Sequence, residues 1–169
     1  MTLDPDAVVG QLQSALDRDA LGAWRARHEG ALLESHFQPI YSFPHRRAVG
    51  HEALLRITQA DGRPLPPLVF FERLPGAAEQ LHADRLSRLL HVRNFARQAD
   101  TEGWLFLNIH PSVFVHGARQ PEMVAASVGA LVQAGLQPKR IVFEVTEEDR
   151  KSTRLNSSHS DRSRMPSSA

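Results

Sequence analysis

Cysteine is absent from the 169-residue chain, which excludes disulfides and thiolate metal sites and fits a reducing compartment. No apolar run approaches the ~18 residues that a bilayer-crossing helix requires. The opening Met1-Thr2-Leu3-Asp4-Pro5-Asp6 has neither the basic start nor the apolar stretch of a secretory signal. The expectation is a soluble cytoplasmic protein with no membrane segment. A dominant charge is missing too: 20 basic and 19 acidic residues leave a formal net of +1. Such a balance gives no electrostatic footprint for a nucleic-acid polymer or a membrane surface. The sequence contains no glycine-rich phosphate loop, Ser/His/Asp arrangement or His-x-x-x-His pair. Lysine occurs only at Lys139 and Lys151.

What is present reads as one globular unit with a foreign-looking end. Hydrophobic content of 41% and charged content of 23% are ordinary globular values, and the length suffices for one core. Residues 149–169 carry five basic and two acidic side chains, a net of +3 against +1 for the whole, so the body sums to −2. Residues 5–33 read as helical, with Asp4 as cap, Pro5 at the first position and Val8, Leu12, Leu16, Leu21 and Trp24 near helical spacing. A break is expected near 17–19. The period then changes: 36–43 and 48–57 read as two strands of a hairpin. Asp61-Gly62 and Pro64, Pro66 and Pro67 mark a loop, and 68–74 reads as a short helix. Residues 79–99 form the clearest helix, with Leu81, Leu86, Leu89, Leu90 and Phe95 on one stripe and Arg85, Arg88, Arg93 and Arg97 mostly outside. Residues 104–109 and 141–145 read as buried strands, with a helix at 121–134 between them that Gly135 ends. This alternation predicts an α/β layer or barrel with a mainly parallel sheet.

Three oxygen-bearing side chains interrupt these apolar strands: Glu52, Asn108 and Glu144. A carboxylate within a buried strand is costly unless it is paired or bound to a cation. Strand parity puts Glu52, Leu54 and Arg56 on one face of their strand, Phe106, Asn108 and His110 on one face of theirs, and Val142, Glu144 and Thr146 on another. Two carboxylates and an amide make a hard, all-oxygen set suited to Mg²⁺ or Mn²⁺. A guanidinium at a spacing read as ~6.6 Å along the strand from Glu52 would suit a phosphate. Blander readings stay open at this point: a Glu52–Arg56 ion pair, Asn108 as a turn residue, and Glu144 paired to a distant lysine.

Motif order narrows the choice. Phe37-Gln38-Pro39-Ile40, then His51-Glu52-Ala53-Leu54-Leu55-Arg56, then Leu105-Phe106-Leu107-Asn108-Ile109-His110-Pro111, then Ile141-Val142-Phe143-Glu144-Val145-Thr146-Glu147 resemble four successive blocks of the EAL domain family. Those are bacterial phosphodiesterases that hydrolyse cyclic di-GMP to linear pGpG. The resemblance implies an α/β fold that is about the first half of a (β/α)₈ (TIM-type) barrel, preceded by an N-terminal helical segment. It implies Glu52, Asn108 and Glu144 as ligands of Mg²⁺ or Mn²⁺, with Gln38 and Arg56 contacting the cyclic dinucleotide. His110 departs from the family, which often carries a small hydroxyl residue there. A homodimer of the intact parent is compatible with the resemblance. The alternative is a degenerate EAL domain that binds cyclic di-GMP or a protein partner without catalysis.

The family's later Asp-Asp-Phe-Gly strand, its catalytic lysine and a further glutamate have no counterpart here. The expected organisation is therefore a helical extension at 1–33, a truncated EAL domain at 34–148 and a disordered, non-native tail at 149–169. The tail holds seven serines and no aromatic residue, too little apolar surface to offset ordering entropy. Asp149 to His159 can be encoded by a string resembling a short-read sequencing adapter, and Ser163 to Ala169 by its far end. No complete catalytic set is expected in the chain.

Overall fold

The computed structural model describes residues 5–98, 103–109 and 136–145. Helix α1 spans Pro5–Ser14. Three strands follow, β1 (Leu16–Arg18), β2 (Trp24–His28) and β3 (Ala31–Ser42), and then β4 (Arg47–Thr58) and the short β5 (Pro64–Leu65). Helices α2 (Pro67–Arg73) and α3 (Ala77–Phe95) precede β6 (Trp104–Ile109) and β7 (Ile141–Val145), the last entered through a 3₁₀ turn at Pro138–Arg140. The sheet order is β1-β2-β3-β4-β6-β7, with β5 paired to β4. Among the described residues the sheet is open. Only β4–β6 and β6–β7 are parallel; the four other pairings are antiparallel. The parallel sheet expected from the alternation is thus confined to its second half.

The helical reading of 5–33 holds to Ser14 and fails beyond it, for reasons of turn chemistry. Asp19 Oδ1 accepts hydrogen bonds from the Leu21 and Ala23 amides, at 2.9 and 2.8 Å. That Asx turn, completed by Gly22 at φ +77°, folds β1 back on β2. Glu29 and Gly30 both take positive φ, 48° and 74°, as a two-residue hairpin turn between β2 and β3 requires. Ala26 is fully buried while Leu21, counted in the helical stripe, is 87% exposed in the turn. The expected hairpin of 36–43 and 48–57 is present and longer, with a bulge at Ile40/Tyr41.

α3 covers one face of this sheet. Leu86, Leu89 and Leu90 pack with Leu33, Leu55, Ile57 and Phe70; Val92 and Phe95 pack with Ala53, Leu105 and Leu107. The arginines of α3 were expected to point outward, but several tie the helix down. Arg93 lies 5.0 Å over the Trp24 ring, which also takes Arg18 at 4.2 Å, and Arg97 Nη2 donates to the Leu21 carbonyl at 3.3 Å, while Arg88 pairs within the helix with buried Asp84 at 2.6 Å. Asn94 accepts from the Trp24 amide at 2.8 Å and donates to its carbonyl at 2.7 Å, clamping β2 to the helix. His91, buried between α3 and β3, meets Ser35 Oγ at 2.8 Å through Nδ1. The helix expected at 121–134, His110, Thr146 and the 149–169 tail lie outside the described residues. No helix of the described residues is long and apolar enough to cross a membrane.

Candidate functional site

On β4 and β6 the odd-numbered residues Ala53, Leu55, Ile57, Leu105 and Leu107 are buried in the core, so the even positions project from the opposite face. All five sequence-predicted site residues occupy even positions. Register sets how they line up. Gln38 stands opposite Glu52 across the β3–β4 pair. Glu52 is abreast of Phe106 in β6, and Asn108 is abreast of Glu144 in β7. Four adjacent strands therefore carry an amide, a carboxylate, an amide and a carboxylate across one face.

Glu52 and Asn108 are in direct contact. Asn108 Nδ2 donates to Glu52 Oε1 at 2.9 Å, and both residues are half-buried. The bond runs diagonally, because Asn108 lies two residues beyond the Glu52 level. An amide that donates through its nitrogen turns its oxygen, Oδ1, into the group available to a cation or donor. Glu144 and Gln38 are exposed on either side of this pair. Asn108 is thus a strand residue holding a carboxylate, not a turn residue.

Arg56 stands apart. Four residues at ~3.3 Å each put its Cα about 13 Å from that of Glu52, twice the spacing expected above and too far for a simple ion pair along the strand. Its Nη1 donates to the Leu55 carbonyl at 3.2 Å, its cross-strand neighbour is Glu34, and it is exposed.

Two glycines that the sequence reading passed over position the site. A Cβ on Gly50 would lie 2.7 Å from the Trp104 carbonyl and 2.9 Å from the Phe106 ring. One on Gly103 would lie 3.0 Å from the Val49 carbonyl. Side chains here would push β4 and β6 apart, two residues before Glu52. The available signal was a glycine at the entry of an apolar strand, which marks a close backbone approach.

An α/β half-barrel sheet with a row of oxygen donors on the face turned away from its helix defines the class. The EAL domain family model matches residues 22–164, and the chain belongs to that family. The match begins inside the β1–β2 turn and extends beyond residue 149. No curated protein matches the chain significantly. Among solved structures, BlrP1 of Klebsiella pneumoniae in its pH 6 manganese/cyclic-diGMP complex is 24% identical with TM-score 0.54, over 68% of this chain and 27% of that one. The FimX EAL domain of Pseudomonas aeruginosa bound to c-di-GMP is 22% identical with TM-score 0.53, over 85% of this chain and 50% of that one. The EAL enzyme Bd1971 with cAMP and cyclic-di-GMP gives 15% identity and TM-score 0.55, over 83% and 35%. The chain spans about a quarter of BlrP1 and half of the FimX domain.

Proposed function

We propose that this chain is the N-terminal part of a cytoplasmic EAL-type phosphodiesterase. Its intact parent hydrolyses cyclic di-GMP to linear pGpG with Mg²⁺ or Mn²⁺, and the chain alone is inactive. The observation that carries the reading is the Glu52–Asn108 bond, which joins diagonally the two register-aligned pairs Gln38–Glu52 and Asn108–Glu144 on one face of the sheet. Family membership and the manganese and calcium complexes of BlrP1 with the cyclic dinucleotide support it.

The donor set fits a hard divalent cation, since every group it offers is a carboxylate or amide oxygen. Glu52, Asn108 and Glu144 would hold the cation, with Asn108 fixing the Glu52 carboxylate through its amide nitrogen. When bound, the cation supplies positive charge to the phosphodiester oxygens and acidity to the attacking water. Gln38 would hydrogen-bond the dinucleotide beside Glu52. Arg56, farther along β4, would bind a more distant part of it through its planar fork. Hydrolysis forms one P–O bond from water and breaks the P–O3′ bond opposite, and overall the proton that the water gives up is the one that the departing O3′ takes to become a hydroxyl. The family's Asp-Asp-Phe-Gly strand and lysine, which have no counterpart in this sequence, are the groups whose lack makes the chain inactive.

The test is a parent gene read from genomic DNA past Glu148 and expressed whole. With Mn²⁺ it should convert cyclic di-GMP to pGpG, whereas the 169-residue chain should leave it intact. Glu52→Ala should lower turnover by orders of magnitude as a ligand is lost, and Arg56→Ala should act mainly on KM. A parent that binds without cleaving would be the degenerate binder. Near-normal turnover of Glu52→Ala at saturating metal would overturn the role of Glu52.

A further inference from the structure

The opposite face of the sheet carries a second cluster that none of the chemistry above uses. His28 ends β2, Glu29 begins the positive-φ turn after it, and Glu79 lies in the first turn of α3. One donor atom from each of the three lies within 4.8 Å of the others. His28 has the parity of buried Ala26, so it faces α3, where it meets Phe70 and His82 at ring-centroid distances of 6.1 and 5.3 Å.

We propose that His28, Glu79 and Glu29 form a binding site for a first-row transition dication of the Zn²⁺ type. The His28 side chain is only 10% exposed, yet its Nε2 makes no hydrogen bond. An enclosed imidazole nitrogen without a partner is costly. Its neighbour Glu79 Oε2 lies 3.6 Å away, beyond hydrogen-bonding range. Two ligands held ~2.1 Å from one tetrahedral zinc stand ~3.4 Å apart, so the gap matches a shared cation better than a direct contact. Glu29 is exposed, with a carboxylate oxygen already within 4.8 Å of the other two donors, and an imidazole beside two carboxylates suits zinc-like ions. The His82 ring lies beside that of His28, tilted by 31° at 5.3 Å between centroids. The site is separate from the Glu52 row. It lies across the sheet from it, and the seven residue steps along β3 from Ala31, the partner of His28, to Gln38, the partner of Glu52, span ~23 Å. A cation there would staple the β2–β3 turn to the start of α3.

The test titrates Zn²⁺ alone into the full chain carrying Glu52→Gln and Glu144→Gln, which removes the other candidate ligands. The readout is dialysis stoichiometry together with side-chain ¹⁵N spectra of the histidines. One equivalent should bind, with the His28 Nε2 resonance shifting. Glu79→Gln, a partly exposed change whose folding circular dichroism verifies, should weaken binding by more than about tenfold, since losing a ligand costs at least what losing a group that merely orients one does. His28→Gln should abolish it. Zinc uptake unchanged in Glu79→Gln and His28→Gln, or a His28 resonance that does not move, would overturn the proposal.

Discussion

His91 offers the sharpest quantitative test of how this fold is held. It is 5% exposed between α3 and β3, with Ser35 Oγ at its Nδ1 and the Phe37 ring 6.4 Å away. Burial pushes its pKa down from 6.5 to about 4, so the imidazole is neutral in the folded protein over the physiological range. Above pH 6.5 neither state carries the proton and this contribution to stability is intact. As the pH falls, the unfolded chain takes up the proton first. Stability then drops by ~1.36 kcal/mol per pH unit until folded His91 itself titrates near pH 4. The loss is about 2 kcal/mol at pH 5 and about 3 kcal/mol at pH 4, a large share of the ~5–15 kcal/mol of a typical domain. Urea unfolding followed by tryptophan fluorescence at pH 7, 6, 5 and 4.5 measures it, with His91→Gln as reference. The glutamine retains a partner for Ser35 and does not titrate, so carboxylate contributions common to both proteins cancel. The stability difference between wild type and variant should move by about 2 kcal/mol from pH 7 to pH 5. A difference that stays constant with pH would mean that His91 is not desolvated in the folded state.

Asn94→Ala removes both bonds to the Trp24 backbone and should cost about 2–4 kcal/mol in urea unfolding; a cost under about 1 kcal/mol would mean water replaces the clamp. Gly50→Ala drives a methyl into the Trp104 carbonyl and should cost about 2 kcal/mol or more, and in the completed parent it should also lower turnover by displacing Glu52 from Asn108. Deleting residues 149–169 should change stability by no more than about 0.5 kcal/mol, and a larger loss would make the tail part of the protein.

Strands and the long helix were legible wherever hydrophobic period and turn signals agreed. The β3–β4 hairpin and α3 followed from β-rich stretches, turn signals and an apolar stripe, and β6 and β7 from short apolar runs; β7 was expected to be buried, yet Phe143 and Val145 are exposed on this open sheet. The region 16–33 was misread because Leu16, Leu21 and Trp24 fall near helical spacing. The decisive information sat in residues with little hydrophobic signal: Asp19 accepting two amides, Gly22 completing the turn, and Glu29-Gly30 at positive φ. Tertiary anchors were invisible for a different reason. Nothing local distinguishes Asn94, which binds the Trp24 backbone 70 residues away, from an ordinary polar residue on a helix.

The candidate site divides along the same line. Which face Glu52, Asn108 and Glu144 share follows from a period of two, a property of each strand taken singly. Whether they meet depends on register between strands, a property of no single strand. In the observed register Glu52 lies level with Phe106, and the Asn108 amide reaches it diagonally. A slip of one residue would turn the whole β6 set onto the core face, and a slip of two would separate the carboxylate from the amide. The close approach at Gly50 and Gly103 occurs at the Gly50–Trp104 pair, where the β4–β6 ladder begins. A bulkier residue at either glycine would displace that first pair and every pair after it. The contact on which the proposed cation site rests is therefore set by two residues with no side-chain chemistry. Substituting Gly50 should disturb the site while leaving each of its oxygen donors in the sequence.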